Sequence, residues 1–227
     1  MSTATTPAPV RSQPPPGGET RIRIPNASWD LYRNFVERLP ESSPIRVAFD
    51  GRSMEIMTKG PVHDHFGRLL EQFVLEVAGA VGILIKPQGE TTWIRPEIER
   101  GIEADNCYYV DPAKIAAALQ QIARRSNDVA DFPNPDLAIE VDISPPQADR
   151  LGIYASLGVA EIWVFDGEKV TIRRLTGEGR YTTDERSAFL PIRAAEIGPW
   201  LLEENLLDLD AWRRRVRAWA GNLREVG

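Results

Sequence analysis

The segment Leu137–Ile143 (LAIEVDI) constrains the fold more than any other part of the chain. It follows a proline-flanked turn, and its aliphatic character predicts a buried strand. Alternation along a strand places Ala138, Glu140 and Asp142 on one face and the aliphatic side chains on the other. A carboxylate inside such a strand is costly to desolvate unless a cation or strong hydrogen bonds accompany it. The strand therefore either borders solvent with ordinary charges or carries a metal site, and the spacing alone fits both.

Hydrophobic periodicity predicts the elements around this strand. Helices are predicted at 29–39, 62–77, 113–125, 147–157 and 207–223, and strands at 45–49, 54–56, 83–85, 91–95, 107–110, 161–166 and 169–174. Asp-Gly pairs at 50–51 and 166–167 predict the turns of two hairpins. The chain has no repeat and no βαβ rhythm of about 30 residues. This order predicts an α+β domain with one mixed sheet flanked by helices.

Composition limits the class of protein. Residues 1–20 are rich in Pro, Thr, Ser and Gly and predict a disordered tail, which leaves 21–227 as a single domain with a C-terminal helix. We find no secretory signal and no apolar run near the ~18 residues of a membrane span, so we expect a soluble cytoplasmic protein. With one cysteine and two histidines the chain lacks the ligands of a zinc finger. Cys107 is expected to be a core residue.

Charge narrows the functional classes further. A formal net charge of −6 argues against a protein that coats DNA by neutralising phosphates alone. It leaves room for a metal-dependent enzyme, because divalent ions offset clustered carboxylates. Asp105 precedes a predicted strand, and together with Glu140 it offers the oxygen ligands that Mg²⁺ prefers. The arginine run 213–217 predicts either a solvated helix face or a nucleic-acid contact.

Five segments, in order, carry a resemblance to a known family: 46–57, His65, 101–109 (GIEADNCYY), 135–145 (PDLAIEVDISP) and 154–163 (YASLGVAEIW). They resemble the Uma2 family of restriction-endonuclease-like proteins, over about Trp29 to Leu190. That family belongs to the PD-(D/E)XK nuclease superfamily, whose core is a mixed sheet flanked by helices. The resemblance implies a restriction-endonuclease-like core, in agreement with the α+β pattern.

The resemblance also implies functional residues. Asp105 matches the aspartate of the family's E-P-D motif, and Glu140 matches the acid of the next core strand. Both are implied ligands of Mg²⁺ or Mn²⁺, together with the main-chain carbonyl of Val141. His65 matches the histidine at the start of the first core helix, which implies a catalytic role. A hydrogen bond at the helix start is the other interpretation of His65.

The chain departs from the family pattern at the lysine. The superfamily lysine, two residues after Glu140, is replaced here by Asp142. Many family members place the lysine on the next helix, where this chain has Arg150. Arginine stabilises charge on a phosphate but does not accept a proton, because its pKa exceeds 12. Asp142 is then either an additional metal ligand or the partner of Arg150.

Together these features imply an endonuclease that requires Mg²⁺ or Mn²⁺ and hydrolyses DNA phosphodiester bonds. Its catalytic residues would be Asp105, Glu140, Arg150 and His65. The alternative is a catalytically weakened nuclease fold that acts as a nucleic-acid-binding or regulatory module, which the missing lysine favours. A homodimer is a further expectation, since restriction enzymes of this superfamily often cut two strands with two sites.

Overall fold

The computed structural model describes residues 19–40, 43–203 and 206–223. The helices are α1 (Trp29–Val36), α2 (Pro61–Val81), α3 (Pro112–Ala123), α4 (Arg150–Leu157), α5 (Ala194–Leu201) and α6 (Leu209–Asn222). The strands are β1 (Thr20–Pro25), β2 (Ile45–Phe49), β3 (Ser53–Thr58), β4 (Lys86–Gly89), β5 (Thr92–Arg95), β6 (Arg100–Glu103), β7 (Asn106–Tyr109), β8 (Leu137–Val141), β9 (Glu161–Phe165), β10 (Val170–Leu175) and β11 (Tyr181–Asp184). No helix within these ranges has the length and apolarity needed to cross a membrane.

The strands form two sheets. A five-stranded sheet has the order β1-β3-β2-β6-β5 and is antiparallel throughout. A six-stranded sheet has the order β11-β10-β9-β8-β7-β4, and in it only the β8–β9 pair is parallel. The predicted α+β class with a mixed sheet flanked by helices is confirmed, but the prediction of one sheet is wrong. Strands β2, β3 and β5 of the five-stranded sheet were predicted, but β1 (TRIRIP) and β6 (RGIE) escaped prediction because their charged residues obscure a strand pattern.

Strand β8 lies in the interior of the six-stranded sheet, between β7 and β9. All five of its residues are buried. Its aliphatic side chains Leu137, Ile139 and Val141 join a core with α2, α5 and α6, whereas Ala138 joins a second core with α4 on the opposite face. A solvent-bordering strand is therefore excluded, and Glu140 lies on the α4 side of a fully buried strand.

Capping residues set the first residues of α1 and α4 and the last residue of α4. Ser28 caps α1 by accepting a hydrogen bond from the N–H of Leu31 (3.1 Å). The helix α4 begins at Arg150, three residues later than predicted, because Asp149 caps it by accepting from the N–H of Gly152 (2.9 Å). Gly158 ends α4 with a φ of 70°, a conformation that glycine adopts without strain.

The N-terminal boundary differs from the prediction. Residues 1–18 of the predicted disordered tail lie outside the described residues, but Glu19 and Thr20 lie within them. Thr20 pairs with Thr58 at the start of β1, and Glu19 is fully buried. These two residues therefore belong to the folded part of the chain.

The arginine run of α6 has structural partners. The Nε atoms of Arg213 and Arg217 each lie 2.7 Å from a carboxylate oxygen of Glu76 on α2. Arg215 pairs with Glu203 (2.9 Å), and Trp212 is fully buried in the core. The run therefore attaches α6 to α2, which favours a structural role over a nucleic-acid contact.

Candidate active site

Asp105 lies between β6 and β7, and only 3% of its side chain is exposed. Its Oδ2 accepts a hydrogen bond from the main-chain N–H of Val141 (2.8 Å). Its Oδ1 lies 2.8 Å from Nε2 of His63 and 2.9 Å from Nζ of Lys59. Asp105 therefore joins β8 to the first turn of α2 and to the residue that follows β3.

Glu140 carries the second predicted carboxylate, and it is also buried. Its two oxygens accept hydrogen bonds from Nη2 of Arg150 and from the hydroxyl of Tyr154, both on α4. Nη1 of Arg150 donates to Oδ1 of Asp142 (2.7 Å). The structure therefore shows Asp142 as a partner of Arg150, which was one of its two interpretations.

The five-stranded sheet holds the loop between β8 and α4. Glu55 on β3 accepts hydrogen bonds from the N–H groups of Gln147 and Ala148, and Asp50 accepts from the N–H of Asp149 (3.1 Å). This loop ends at Arg150. Glu55 and Asp50, on the side of the five-stranded sheet, therefore fix the position of Arg150, whose guanidinium contacts Glu140 in the six-stranded sheet.

The structure brings His63 to the acids and places the predicted His65 away from them. His65 is exposed and packs its ring against Phe66, outside the cluster of acids. His63 is 1% exposed and lies between Oε1 of Glu19 (2.6 Å) and Oδ1 of Asp105 (2.8 Å). Residues two apart on a helix point about 200° away from each other. The face that brings His63 to Asp105 therefore turns His65 towards solvent.

Burial and neighbouring charges shift the pKa values of Glu140, Asp105 and His63 in different directions. Burial raises the pKa of Glu140 to about 8. The positive charge of Arg150 lowers this pKa, and the negative charge of Asp105 raises it further. Burial would also raise the pKa of Asp105, but the hydrogen bond from His63 and the charge of Lys59 hold it well below its ordinary value. Burial would lower the pKa of His63, but its hydrogen bonds to Asp105 and Glu19 raise it to about 9.

Two cavities border the cluster. A half-open cavity of about 640 Å³ is lined by Glu140, Asp142 and Arg150, with Val164 of β9 on its wall. A cavity of only about 10 Å³ lies against Asp105, Lys59 and His63. The larger cavity therefore gives access to the cluster from the Glu140 side.

Comparison with known proteins identifies the family of this chain. The model of the Uma2 family, described as "putative restriction endonuclease", matches residues 33–201. The chain belongs to the Uma2 family. One similar solved structure is described as a "putative nuclease belonging to DUF820" from Anabaena variabilis, with 19% sequence identity and a TM-score of 0.46, covering 82% of this chain and 99% of that chain. No curated protein matches the chain.

Several residues of this cluster were not among the residues predicted from the sequence. Lys59 supplies a lysine to the cluster from the end of β3, far in sequence from the position that Asp142 occupies. His63, Glu19 and Arg21 were also missed. A strand followed by Lys59 and then by a histidine in the first turn of a helix was a usable signal for two of them. Glu19 and Arg21 precede the family match and offered none.

The carboxylates of the cluster are occupied by donors of the protein itself. Both oxygens of Asp105 and both of Glu140 already have donors on the protein. In the described ranges, no three His, Cys, Asp or Glu side chains are grouped so that they could hold a metal. In this arrangement the residues do not fit a divalent ion, because Arg150, Lys59 and His63 supply the positive charge. The ligand set of Asp105, Glu140 and Val141 stays a prediction.

Proposed function

We propose that this protein is a nuclease that hydrolyses phosphodiester bonds of DNA at the cluster formed by Asp105 and Glu140. Membership of the Uma2 family supports the reaction class. The observation that carries the proposal is the convergence of two buried, sequence-predicted acids with the cations Arg150, Lys59 and His63. Buried titratable groups with strongly perturbed pKa values beside a cavity are typical of catalytic sites.

Arg150 is assigned to bind the scissile phosphate. Its side chain is 8% exposed and borders the larger cavity. Among the residues that the structure describes, its buried Nε has no hydrogen-bond partner. A buried donor without an acceptor is unfavourable, and a phosphate oxygen would satisfy it. Because the guanidinium stays charged, it stabilises the negative charge that develops on the phosphate.

Lys59 and Glu140 are assigned the remaining steps. Lys59 adds a positive charge beside Asp105, in place of the lysine that is absent at position 142. The pKa of Glu140, raised by burial to about 8, lets this carboxyl hold or release a proton near neutral pH. A group with such a pKa is suited to proton transfer to or from the reacting oxygens.

The requirement for Mg²⁺ or Mn²⁺ remains a prediction from sequence, and none of these roles depends on it. A bound ion of this kind polarises a phosphate oxygen and acidifies a water molecule. Because Arg150, Lys59 and His63 already place positive charge beside the acids, the metal requirement has to be measured.

A second candidate is a nuclease fold without turnover that binds nucleic acid or regulates a partner. One observation favours it: Arg150, at the position of the family's lysine, is held by ion pairs to Glu140 and Asp142. An arginine fixed in this way binds anions but does not activate water.

The test is incubation of purified protein with supercoiled plasmid in the presence of Mg²⁺, Mn²⁺ or EDTA. Nicking by the wild type is expected to be lost in Asp105→Asn and in Glu140→Gln. Glu178→Gln, which changes an exposed acid in the turn after β10, is the matched control and should nick normally. If folded wild-type protein binds DNA but never nicks it, the nuclease proposal is wrong and the second candidate stands. The EDTA arm decides the metal requirement.

A further inference from the structure

Strand β1 lies outside the residues matched by the family model, which begin at 33. It forms the edge of the five-stranded sheet by pairing antiparallel with β3, with Thr20 opposite Thr58. This register brings Glu19 level with Lys59, which contacts Asp105. The chain segment before the family match therefore runs beside the cluster.

Glu19 uses both of its carboxylate oxygens inside the molecule. Oε1 lies 2.6 Å from Nδ1 of His63. Oε2 accepts hydrogen bonds from the hydroxyl and from the main-chain N–H of Ser144 (3.1 Å), in the loop after β8. The residue is 0% exposed. Such complete burial of a carboxylate is tolerated because each oxygen has a donor.

The contacts of His63 fix the orientation of its ring. One ring nitrogen faces Glu19 and the other faces Asp105, at hydrogen-bond distance in both cases. An ionised carboxylate accepts hydrogen bonds but does not donate them, so in the contact with Glu19 the Nδ1–H of His63 is the donor. Glu19 therefore determines the direction in which Nε2 of His63 points towards Asp105.

A second side chain of β1 reinforces this position. Arg21, which is 3% exposed, donates to Glu55 (2.7 Å), to Asp142 (2.9 Å) and to the hydroxyl of Ser144 (3.0 Å). It thereby ties β1 to the same loop that Glu19 contacts. The place of Glu19 is set by the pairing with β3 on one side and by this loop on the other.

We propose that Glu19 is a positioning residue of the site, which holds the imidazole ring of His63 in place against Asp105. Its effect on hydrolysis rests on the proposed nuclease function, whereas its effect on His63 does not. A displacement of about 1 Å in a catalytic arrangement can lower a rate by about 100-fold. Loss of Glu19 is therefore expected to slow nicking by about tenfold or more, even though Glu19 itself does not touch the phosphate.

The experiment observes His63 directly by ¹⁵N NMR of histidine-labelled protein. In a His65→Gln background His63 is the only imidazole, because the chain has two histidines. The parent protein should show an Nδ1–H signal of His63 that is protected from exchange with water. Glu19→Ala should lose the protected Nδ1–H signal, and Glu19→Gln, which keeps an acceptor oxygen and the side-chain size, should give an intermediate result. Glu178→Ala is the matched control and should leave the spectrum unchanged.

The two arms of the test separate the two claims. If Glu19→Ala folds and keeps the protected Nδ1–H signal, the positioning role is overturned, whatever the nicking rates are. If Glu19→Ala does not fold, Glu19→Met, which keeps the side-chain length but removes the carboxylate, decides by the same criterion. If the signals change but even the parent protein does not nick plasmid, Glu19 still positions His63 and the proposed nuclease function is the claim that fails.

Discussion

Arg150→Met provides the most direct test of how the acid cluster is stabilised. The substitution keeps an apolar side chain of similar length and removes the only positive charge of α4 that contacts Glu140 and Asp142. Both carboxylates remain buried, with 3% and 10% of their side chains exposed. The loss in the free energy of unfolding therefore measures how strongly Arg150 stabilises the two buried carboxylates.

The structure sets the magnitude of this loss. Removing one partner of a buried ion pair costs about 3–5 kcal/mol of folding free energy. Two features favour the lower end of that range: Asp142 keeps its contact with Arg21 (2.9 Å), and Glu140, with a pKa raised by burial to about 8, can take up a proton. We therefore expect a loss of about 3 kcal/mol near neutral pH, which lowers the Tm of a domain this size by about 6–12 °C.

The assay is urea unfolding monitored by tryptophan fluorescence, together with a thermal melt. Arg173→Met is the matched control, because Arg173 borders the same cavity but has one exposed hydrogen bond, to Thr183. The control should lose no more than about 0.5 kcal/mol. The double variant Glu140→Gln/Arg150→Met should recover part of the loss, since one buried charge is gone. The reasoning fails if Arg150→Met is as stable as the control, or if the double variant is less stable than the single one.

Three other outcomes follow from the same geometry. Wild-type stability is expected to fall as pH rises from about 6.5 to about 9. The pKa values of His63 (about 9) and Glu140 (about 8) are raised in the folded state, which therefore holds more protons than the unfolded state over that range. Urea unfolding across this pH range measures the change, and a stability that rises with pH would contradict the prediction. Lys59→Met is expected to lower plasmid nicking by about tenfold or more while Lys59→Arg keeps part of the rate; equal rates for both variants and the wild type would remove Lys59 from the mechanism. Glu76→Gln is expected to lower the free energy of unfolding by only about 1 kcal/mol, because both arginines it binds are largely exposed; a change above about 3 kcal/mol in urea unfolding would show that the pair is stronger than its exposure implies.

The part of the site that is local in sequence was predictable. Strand alternation places Glu140 and Asp142 on one face of β8, and Asp105, just before a neighbouring strand, was paired with Glu140 from the sequence. The structure joins Asp105 to β8 through the N–H of Val141. Family resemblance added Arg150, which lies ten residues after Glu140.

The contribution of the five-stranded sheet was not predictable. Glu19 and Arg21 reach the cluster through pairing of β1 with β3, across 34 residues in the case of Arg21 and Glu55. No pattern in the charged sequence TRIRIP specifies such a partner. From the sequence, only His65 was considered, because the family resemblance pointed to it. His63 stands seven residues before Leu70 and fourteen before Val77, so it shares the buried face of α2 and the helical periodicity favours it over His65.

The attachment of the loop between β8 and α4 has a mechanical consequence. The N–H groups of this loop bind Glu19, Glu55 and Asp50, which all belong to the five-stranded sheet or to the turn and segment beside it. Glu140, in contrast, is fixed in the six-stranded sheet. A tilt of one sheet against the other would therefore carry Arg150 with the loop and change its separation from Glu140. A molecule that binds the outer surface of the five-stranded sheet and tilts it would therefore change the distance between Arg150 and Glu140 without contacting either residue.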